Sequence, residues 1–375
     1  MTNLDIGLEG VVVGETAISH VDGALGRLSY RGVDVAELAR RPFLQVVWLL
    51  LFGQEPNQEQ EQQLARYLML HREMTGAERA MLEALPLDTH PMLMLQSLVP
   101  VLDLTVRGDL EVPFGAEAAR EGLIITARLP TLVAAWARRI SGQSFPVPSF
   151  RSDPLAAFLE SFHDASPEPL AVSTLNRAQI LQLEHSYNAG TFSGRVALGA
   201  QAPLQSSISA SIGTLFGKLH GGADEAALKF AYDVGCPDKA DQAVQDVLNA
   251  RGRIMGIGHR EYQVVDPRAT LLKPMARDLC ADNPDHARLF ATLEAIEASC
   301  YRRLSKPGKE LHANVEFYKG AVFHALGVPH QFFTAMFAMA RSYGYLAHAL
   351  EFKPVARLIR PRARYIGPEP AWASA

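Results

Sequence analysis

The residues best suited to chemistry lie between Gly256 and Arg268, in the run GIGHREYQVVDPR. His259 follows a Gly-Ile-Gly step, where little side-chain bulk would keep a ligand from the backbone. Pro267 cannot sit in a helix interior and biases Asp266 towards an extended conformation. That puts Arg268 at the opening of the next helix, near enough to His259 for both to face one pocket. An imidazole beside a guanidinium suits an oxygen-rich anion, because Arg forks onto a carboxylate while His polarises a neighbouring oxygen. The competing reading is a glycine turn carrying a surface histidine and a solvated arginine.

Two further stretches weigh against that simpler reading. In Leu219-His220-Gly221-Gly222-Ala223-Asp224-Glu225 a histidine precedes two glycines at the start of a helical run. The partial positive charge of a helix N-terminus disfavours imidazolium, and a neutral His donating one hydrogen bond suits an enol or enolate oxygen. Plain helix capping is the alternative. Glu316 stands between Val315 and Phe317, and a carboxylate in apolar surroundings makes a competent base. Otherwise it points to water.

His185, in LEHSYNAGTF, is expected near the end of a helix with Asn188 one turn on along the same face, although a lone helical His is more often a boundary group. Arg341 interrupts the apolar run FFTAMFAMARSYGYLAHAL and should have an anionic partner from protein or ligand, since an unpaired buried charge is costly. Arg357, Arg360, Arg362 and Arg364 read as a solvated basic tail. The sequence holds no HExxH, P-loop or GxGxxG pattern, and the spacing of its histidines does not argue for metal.

The elements that must position these residues are mostly helices. Residues 9–32 form the one β region, two strand-like runs broken by a turn signal at Val21-Asp22-Gly23. From Asp34, an expected N-cap with Glu37 reaching back, the 3.6-residue period takes over. A helix through VVWLLLF stops at Gly53, and Asn57–Met74 is amphipathic with Leu64, Leu68 and Leu70 inward. Further helices are expected over 91–104, 116–140 (ended by Gly142), 154–163, 176–185, 203–218, 223–232, 239–250, 269–282, 286–304, 318–326 and 331–352. SGQSFPVPS (141–149) and SPEPL (166–170) read as loops.

With 375 residues the chain is long enough for two domains. Its 48% apolar and 20% charged residues and net charge of -4 are ordinary for a globular protein and give no pull towards nucleic acid or anionic membrane. Three cysteines without metal-ligand spacing point to a reduced, cytoplasmic setting. The start lacks a signal-peptide pattern, and no apolar run approaches the roughly 20 residues of a spanning helix.

The chain resembles the citrate synthase family, including 2-methylcitrate synthases, along nearly its whole length. The likeness is carried by GLEGVVVGETAISHVDGALGRLSYRGVDVAELA, LEHSYNAGTF, KLHGGADEA, RIMGIGHREYQVVDPRA, NVEFYKG, ARSYGYLAHALE and RLIRPRARYIGP. The resemblance implies an all-α, mainly helical two-domain fold with the small N-terminal β-hairpin region. The large domain would be 1–221 with 328–375, and 222–327 would be a small domain closing over the active site. It implies a homodimer in which Arg360 reaches the partner's site. His185, Asn188, His259, Arg268, Arg341 and Arg360 would bind oxaloacetate. Leu219, Arg253, Ile254, Met255, Gly256, Ile257, Gly258 and Asn314 would line the acyl-CoA. His220, His259 and Glu316 would be catalytic. No metal or redox cofactor is implied, and acetyl-CoA or propionyl-CoA serves as co-substrate.

The sequence departs from that family near the site. Asn314-Val315-Glu316 stands where the family usually has Asn-Val-Asp. Gly190, Gly194, Glu261 and Lys319 stand for the usual Ser, Ala, Val and Ser. Three readings follow: a citrate-forming acyltransferase using acetyl-CoA, a 2-methylcitrate synthase using propionyl-CoA, and a divergent low-activity homologue that binds oxaloacetate or CoA in a regulatory role.

Overall fold

The computed structural model describes residues 7–8, 10–113, 116–217, 221–259, 261–306 and 310–368. Three short antiparallel strands, β1 (Ser19–Asp22), β2 (Arg27–Tyr30) and β3 (Val33–Asp34), form one sheet in that order. Its register pairs Ser19 with Tyr30 and Ser29 with Asp34. The expected hairpin is therefore present, but residues 10–18 add no strand to it. Val11, Val12 and Val13 favour β conformation by type, yet they lie exposed, and strand propensity is realised only against a neighbouring strand.

Helices make up most of the rest. α1 (Val35–Leu38) starts at Asp34, whose side chain accepts from the Ala36 N–H. Glu37 turns outward to Arg41 instead of back to the cap. α2 (Phe43–Phe52) ends at Gly53, whose φ of 72° provides the left-handed cap. α3 (Gln58–His71) and α4 (Gly76–Ala84) both open on capping boxes, Asn57 with Gln60 and Thr75 with Glu78. In α3 the buried stripe is Leu64, Tyr67, Leu68 and His71. Leu70 falls off that face and is 51% exposed, correcting its expected inward position.

α5 (Pro91–Leu98) is shorter than expected and runs into a 3-10 turn, Val99–Val101. α6 (Ala119–Ile140) and α7 (Pro154–His163) follow. α8 (Pro169–Ile180) overturns the loop reading of SPEPL, because Pro169 occupies the first helical position, where its missing N–H costs nothing. The same helix stops before His185. α9 (Ala189–Gly199) was not expected: its three glycines weaken its propensity, but Asn188 caps it by accepting from the Thr191 N–H.

α10 (Leu204–Leu215), α11 (Ala223–Val234), α12 (Ala240–Asn249), α13 (Pro267–Cys280), α14 (Pro284–Leu304), α15 (Val315–Ala325) and α16 (Phe333–Phe352) complete the set among the described residues. α16 is apolar around nearly its whole circumference, which suits a helix buried on every side. It packs against α2, α5, α6, α9 and α10. α15 is the hub of a second group and packs against α11, α13 and α14. Each large side chain sealed in these layers, such as Leu346 or Phe323, contributes about 1.5–3 kcal/mol through burial. No helix among the described residues is long and apolar enough to cross a membrane.

Candidate active site

The loop carrying His259 is sewn to the start of α15. Gly256 and Gly258 have φ of 80° and 82°, left-handed values that L side chains rarely adopt. A Cβ on Gly256 would also come within 3.0 Å of the Phe317 side chain. The N–H of Gly258 donates to the His312 carbonyl at 2.8 Å, and the Asn314 N–H donates to the Gly256 carbonyl at 2.9 Å. Asn314 Nδ2 donates to the Gly258 carbonyl at 2.8 Å. Along this strip Ile254 is buried, Met255 and Ile257 are partly buried, and Arg253 is exposed.

Asp266 organises the other end of the loop. It caps α13 by accepting from the Arg268 N–H at 3.0 Å, as the Asp-Pro-Arg spacing leads one to expect. It also receives the Arg268 fork, Nε to Oδ1 at 3.0 Å and the NH2 group to Oδ2 at 2.8 Å. A guanidinium at a helix N-terminus opposes the helix dipole, so this buried carboxylate is what makes the position tolerable. Burial alone would raise the Asp266 carboxyl, but Arg268 outweighs it and holds the group below the ordinary range.

His259 lies against this pair. Its Nδ1 accepts the backbone N–H groups of Glu261 and Tyr262 at 3.0 and 3.2 Å. With Nδ1 acting as acceptor, the neutral ring carries its proton on Nε2. The Arg268 NH2 group lies 3.4 Å from Nε2; a guanidinium can only donate, so two N–H groups face each other there as a contact, not a hydrogen bond. Burial, reinforced by Arg268, drives the His259 imidazole down to about 4. At neutral pH the ring is therefore an uncharged hydrogen-bond donor.

His185 joins this cluster from a loop, not from a helix end. Ser186 has φ 51°, which breaks the helical path, so Asn188 does not share a helical face with His185. The His185 and His259 rings are 5.4 Å apart, and Tyr262 hydrogen-bonds His185 Nε2 at 3.1 Å. Tyr262 was missed in the sequence because a lone tyrosine carries no spacing signal. The hairpin supports the same loop from outside. The Gln263 N–H donates to the Gly23 carbonyl at 2.8 Å, and a Cβ on Gly23 would lie 2.0 Å from the Glu261 carbonyl oxygen.

Arg341 is 1% exposed, as its apolar run leads one to expect. Its Nε donates to the Gln182 carbonyl at 2.8 Å, and its guanidinium covers the Phe337 ring at 4.6 Å. No described carboxylate lies within ion-pair distance of it, so of the two expected sources of an anionic partner, protein or ligand, the described residues supply only a carbonyl and a ring face. Tyr30, fully buried, donates to the Ile180 and Glu184 carbonyls at 3.1 and 3.2 Å and lies within electrostatic reach of both Arg341 and Arg268. Beneath them runs a buried chain of polar groups. Glu184 Oε1 accepts from Ser19 Oγ at 3.1 Å and from His348 Nε2 at 2.8 Å, while Arg195 faces His348 Nδ1 at 3.3 Å.

Glu316 lies in the first turn of α15, its N–H received by the Asn314 side chain at 3.0 Å. It is 9% exposed, but its surroundings are not simply apolar. Its Oε2 pairs with the Lys319 ammonium, and Lys319 in turn lies 3.2 Å from Asp224 Oδ2 on α11. Lys319 and Asp224 are both 0% exposed. Desolvation pushes the Asp224 carboxyl up to about 6, with Lys319 acting in the opposite direction. Neither residue had been assigned a role from the sequence, although Glu316 and Lys319 are three apart on one helical face.

Leu219 and His220 lie outside the described residues. Arg360 is exposed in the segment after α16, away from a helix, with its guanidinium on the Pro361 carbonyl at 2.5 Å. The structure thus gathers His185, His259 and Arg268 directly, and ties Asn314 and Glu316 to them through the loop and Asp266. Among the described residues no group of three or more His, Cys, Asp or Glu side chains could hold a metal ion.

A helical fold that sets a neutral imidazole, His259, against a buried guanidinium, Arg268, with His185 alongside, defines a protein suited to hold a small, oxygen-rich anion. Residues 7–362 match the family model described as citrate synthase, C-terminal domain; the chain belongs to the citrate synthase family. It is 34% identical over 363 residues to a citrate synthase of Synechocystis sp., covering 96% of this chain and 90% of the relative. It is 33% identical to a 2-methylcitrate synthase of Shewanella oneidensis, covering 97% and 95%. The citrate synthase of Thermoplasma acidophilum, solved as a ternary complex with carboxymethyl coenzyme A and oxaloacetate, superposes with a TM-score of 0.90 at 25% identity, covering 98% of this chain and 97% of that one.

Proposed function

We propose that this protein condenses acetyl-CoA with oxaloacetate and water, releasing citrate and CoA. The observation that carries the reading is the His259–Arg268 pair: a neutral imidazole with its proton on Nε2, beside a guanidinium held by Asp266. Arg268 and Arg341 bind the two carboxylates of oxaloacetate, His185 helps to seat it, and His259 Nε2–H points at the ketone oxygen. Asn188 contributes at the rim as the cap of α9.

The acyl-CoA lies along Leu219 and Arg253 to Gly258, with Asn314 beside it. Glu316 removes a proton from the carbon next to the thioester while His220 donates to the thioester oxygen. The enol attacks the ketone carbon, His259 protonates the new alkoxide, and water then cleaves the thioester. Holding the dicarboxylate rigidly removes much of the entropic barrier. Two copies of the chain work together, each offering Arg360 to the other, and the segment 222–327 moves as the closing domain. The small net charge of -4 and the free thiols suit work in the cytoplasm without a redox cofactor.

CoA release by the purified protein, with oxaloacetate and either acetyl-CoA or propionyl-CoA, tests this directly. Oxaloacetate-dependent release is expected, and the ratio of kcat/KM for the two thioesters names the product. No release from folded dimer overturns the catalytic reading and leaves a ligand-binding homologue.

A further inference from the structure

The buried ammonium of Lys319 stands between two acids that come from different parts of the chain. Asp224 lies in the first turn of α11, the helix that follows the His-Gly-Gly run, and Glu316 lies in the first turn of α15. Lys319 pairs with Glu316 Oε2 and sits 3.2 Å from Asp224 Oδ2. Its ammonium also lies 4.0 Å from the Phe337 ring centroid on α16. Three ionisable groups are thus packed together out of water, and their side chains are 0–11% exposed. Such an arrangement holds only when each charge has its partner.

The geometry points to Lys319 as the positioning residue for Glu316. The inference rests on the reading of Glu316 as the proton-abstracting base. A glutamate turns about three side-chain bonds, so its carboxylate sweeps a wide arc, whereas a catalytic group must be held to within about 0.5 Å of its working position. Lys319, one turn further along α15, holds Oε2, which leaves Oε1 as the oxygen that takes the proton. Asp224 fixes the ammonium from the opposite side, and Phe337 closes the floor. The same ammonium locks the first turns of α11 and α15 together, so the segment after His220 and the base carboxylate share one anchor.

The test compares the wild-type chain with Lys319→Met, Lys319→Ser, Glu316→Asp and the double variant Glu316→Asp/Lys319→Ser, each checked for folding by circular dichroism and thermal melting. In Lys319→Met we expect kcat for CoA release to fall about a hundredfold, the scale of a misplacement near 1 Å, with KM for oxaloacetate unchanged. In the double variant a shorter carboxylate needs no hold, so its kcat recovers at least about tenfold over Lys319→Ser. That recovery separates positioning from mere support of the fold, since a structural lysine would leave the double variant as impaired as the single. A folded Lys319→Met that turns over at the wild-type rate, or a double variant no better than Lys319→Ser, overturns the inference alone. A wild-type protein that releases no CoA overturns the proposed function, and the role of Lys319 falls with it.

Discussion

Asp266 and Val315 stand 49 residues apart, and the Val315 N–H donates to Asp266 Oδ2 over 3.1 Å. The same oxygen accepts from Arg268. One carboxylate therefore sets both the arginine expected to grip substrate and the helix start that carries Glu316. The proposed anion-binding and proton-transfer halves of the site thus share one hydrogen-bonded carboxylate.

Replacing Asp266 with Asn should break that joint. The amide cannot balance the buried Arg268 charge, and removing one member of a buried pair costs about 3–5 kcal/mol. Urea unfolding at pH 7 would measure the loss. Because Arg268 holds the Asp266 carboxyl below its ordinary range, this stabilisation is complete above about pH 4 and drains away as pH falls through the lower folded value. The Asn variant should lack that acid limb.

His259 should titrate far below an ordinary histidine. Its folded value of about 4 means that the unfolded chain takes up a proton near pH 6.5 which the folded chain refuses. Stability should fall as pH drops from about 6.5 to 4, and His259→Gln should remove that part of the slope. Nitrogen NMR of the ring should find the Nε2–H tautomer at pH 7. Glutamine can still donate a hydrogen bond, so the donor is removed outright by His259→Ala, which should lower kcat by about 10²–10³. A ring charged at pH 6 would contradict the assignment.

Arg341→Met offers a test in which affinity and stability part company. The arginine makes one hydrogen bond and one ring contact in a sealed setting, and methionine fills similar space without a charge. Hydrogen bonds to charged groups are worth about 1.5–3 kcal/mol, so KM for oxaloacetate should rise roughly ten- to a hundredfold. The melting temperature should fall only modestly, since Arg341 is one of three groups that steady the buried Glu184 carboxylate. A large drop in melting temperature with KM unchanged would mark Arg341 as structural.

His348→Phe probes the layer beneath. Glu184 is fully buried, and although desolvation raises its carboxyl, His348, Arg341 and Ser19 outweigh that and hold it below the ordinary range. Phenylalanine would leave Glu184 with Ser19 alone as hydrogen-bond donor. A penalty of about 3–5 kcal/mol is expected in denaturant titration, largely recovered by Glu184→Gln in the same chain, since the neutral amide no longer needs a cation.

The parts of the site read from sequence were those written in local rules. Pro267 announces a helix start, Asp266 is its natural cap, and Arg268 follows within the first turn, so this corner could be drawn without coordinates. His185 was misplaced because its loop depends on Ser186 at φ 51°, a conformation that no residue type at that position announces. The helix starting at Gly76 was overlooked although Thr75 and Glu78 carry the spacing of a capping box. Lys319 and Asp224 are harder. Their meaning arises from the packing of α11 on α15 across nearly a hundred residues of intervening chain, and no periodic pattern encodes that meeting.

The docking of Gly23 onto Gln263 has a consequence for how the chain comes to be built. The hairpin leaves the ribosome early, while the loop that covers its turn is made only after most of the helices have emerged. Until then the Gly23 carbonyl in that turn lacks the N–H that Gln263 supplies. The His259 loop is thus also a late clasp on a segment made about 240 residues earlier (Gly23 to Gln263), and a weakened clasp should reveal itself first as poor yield from the cell, before any assay of turnover.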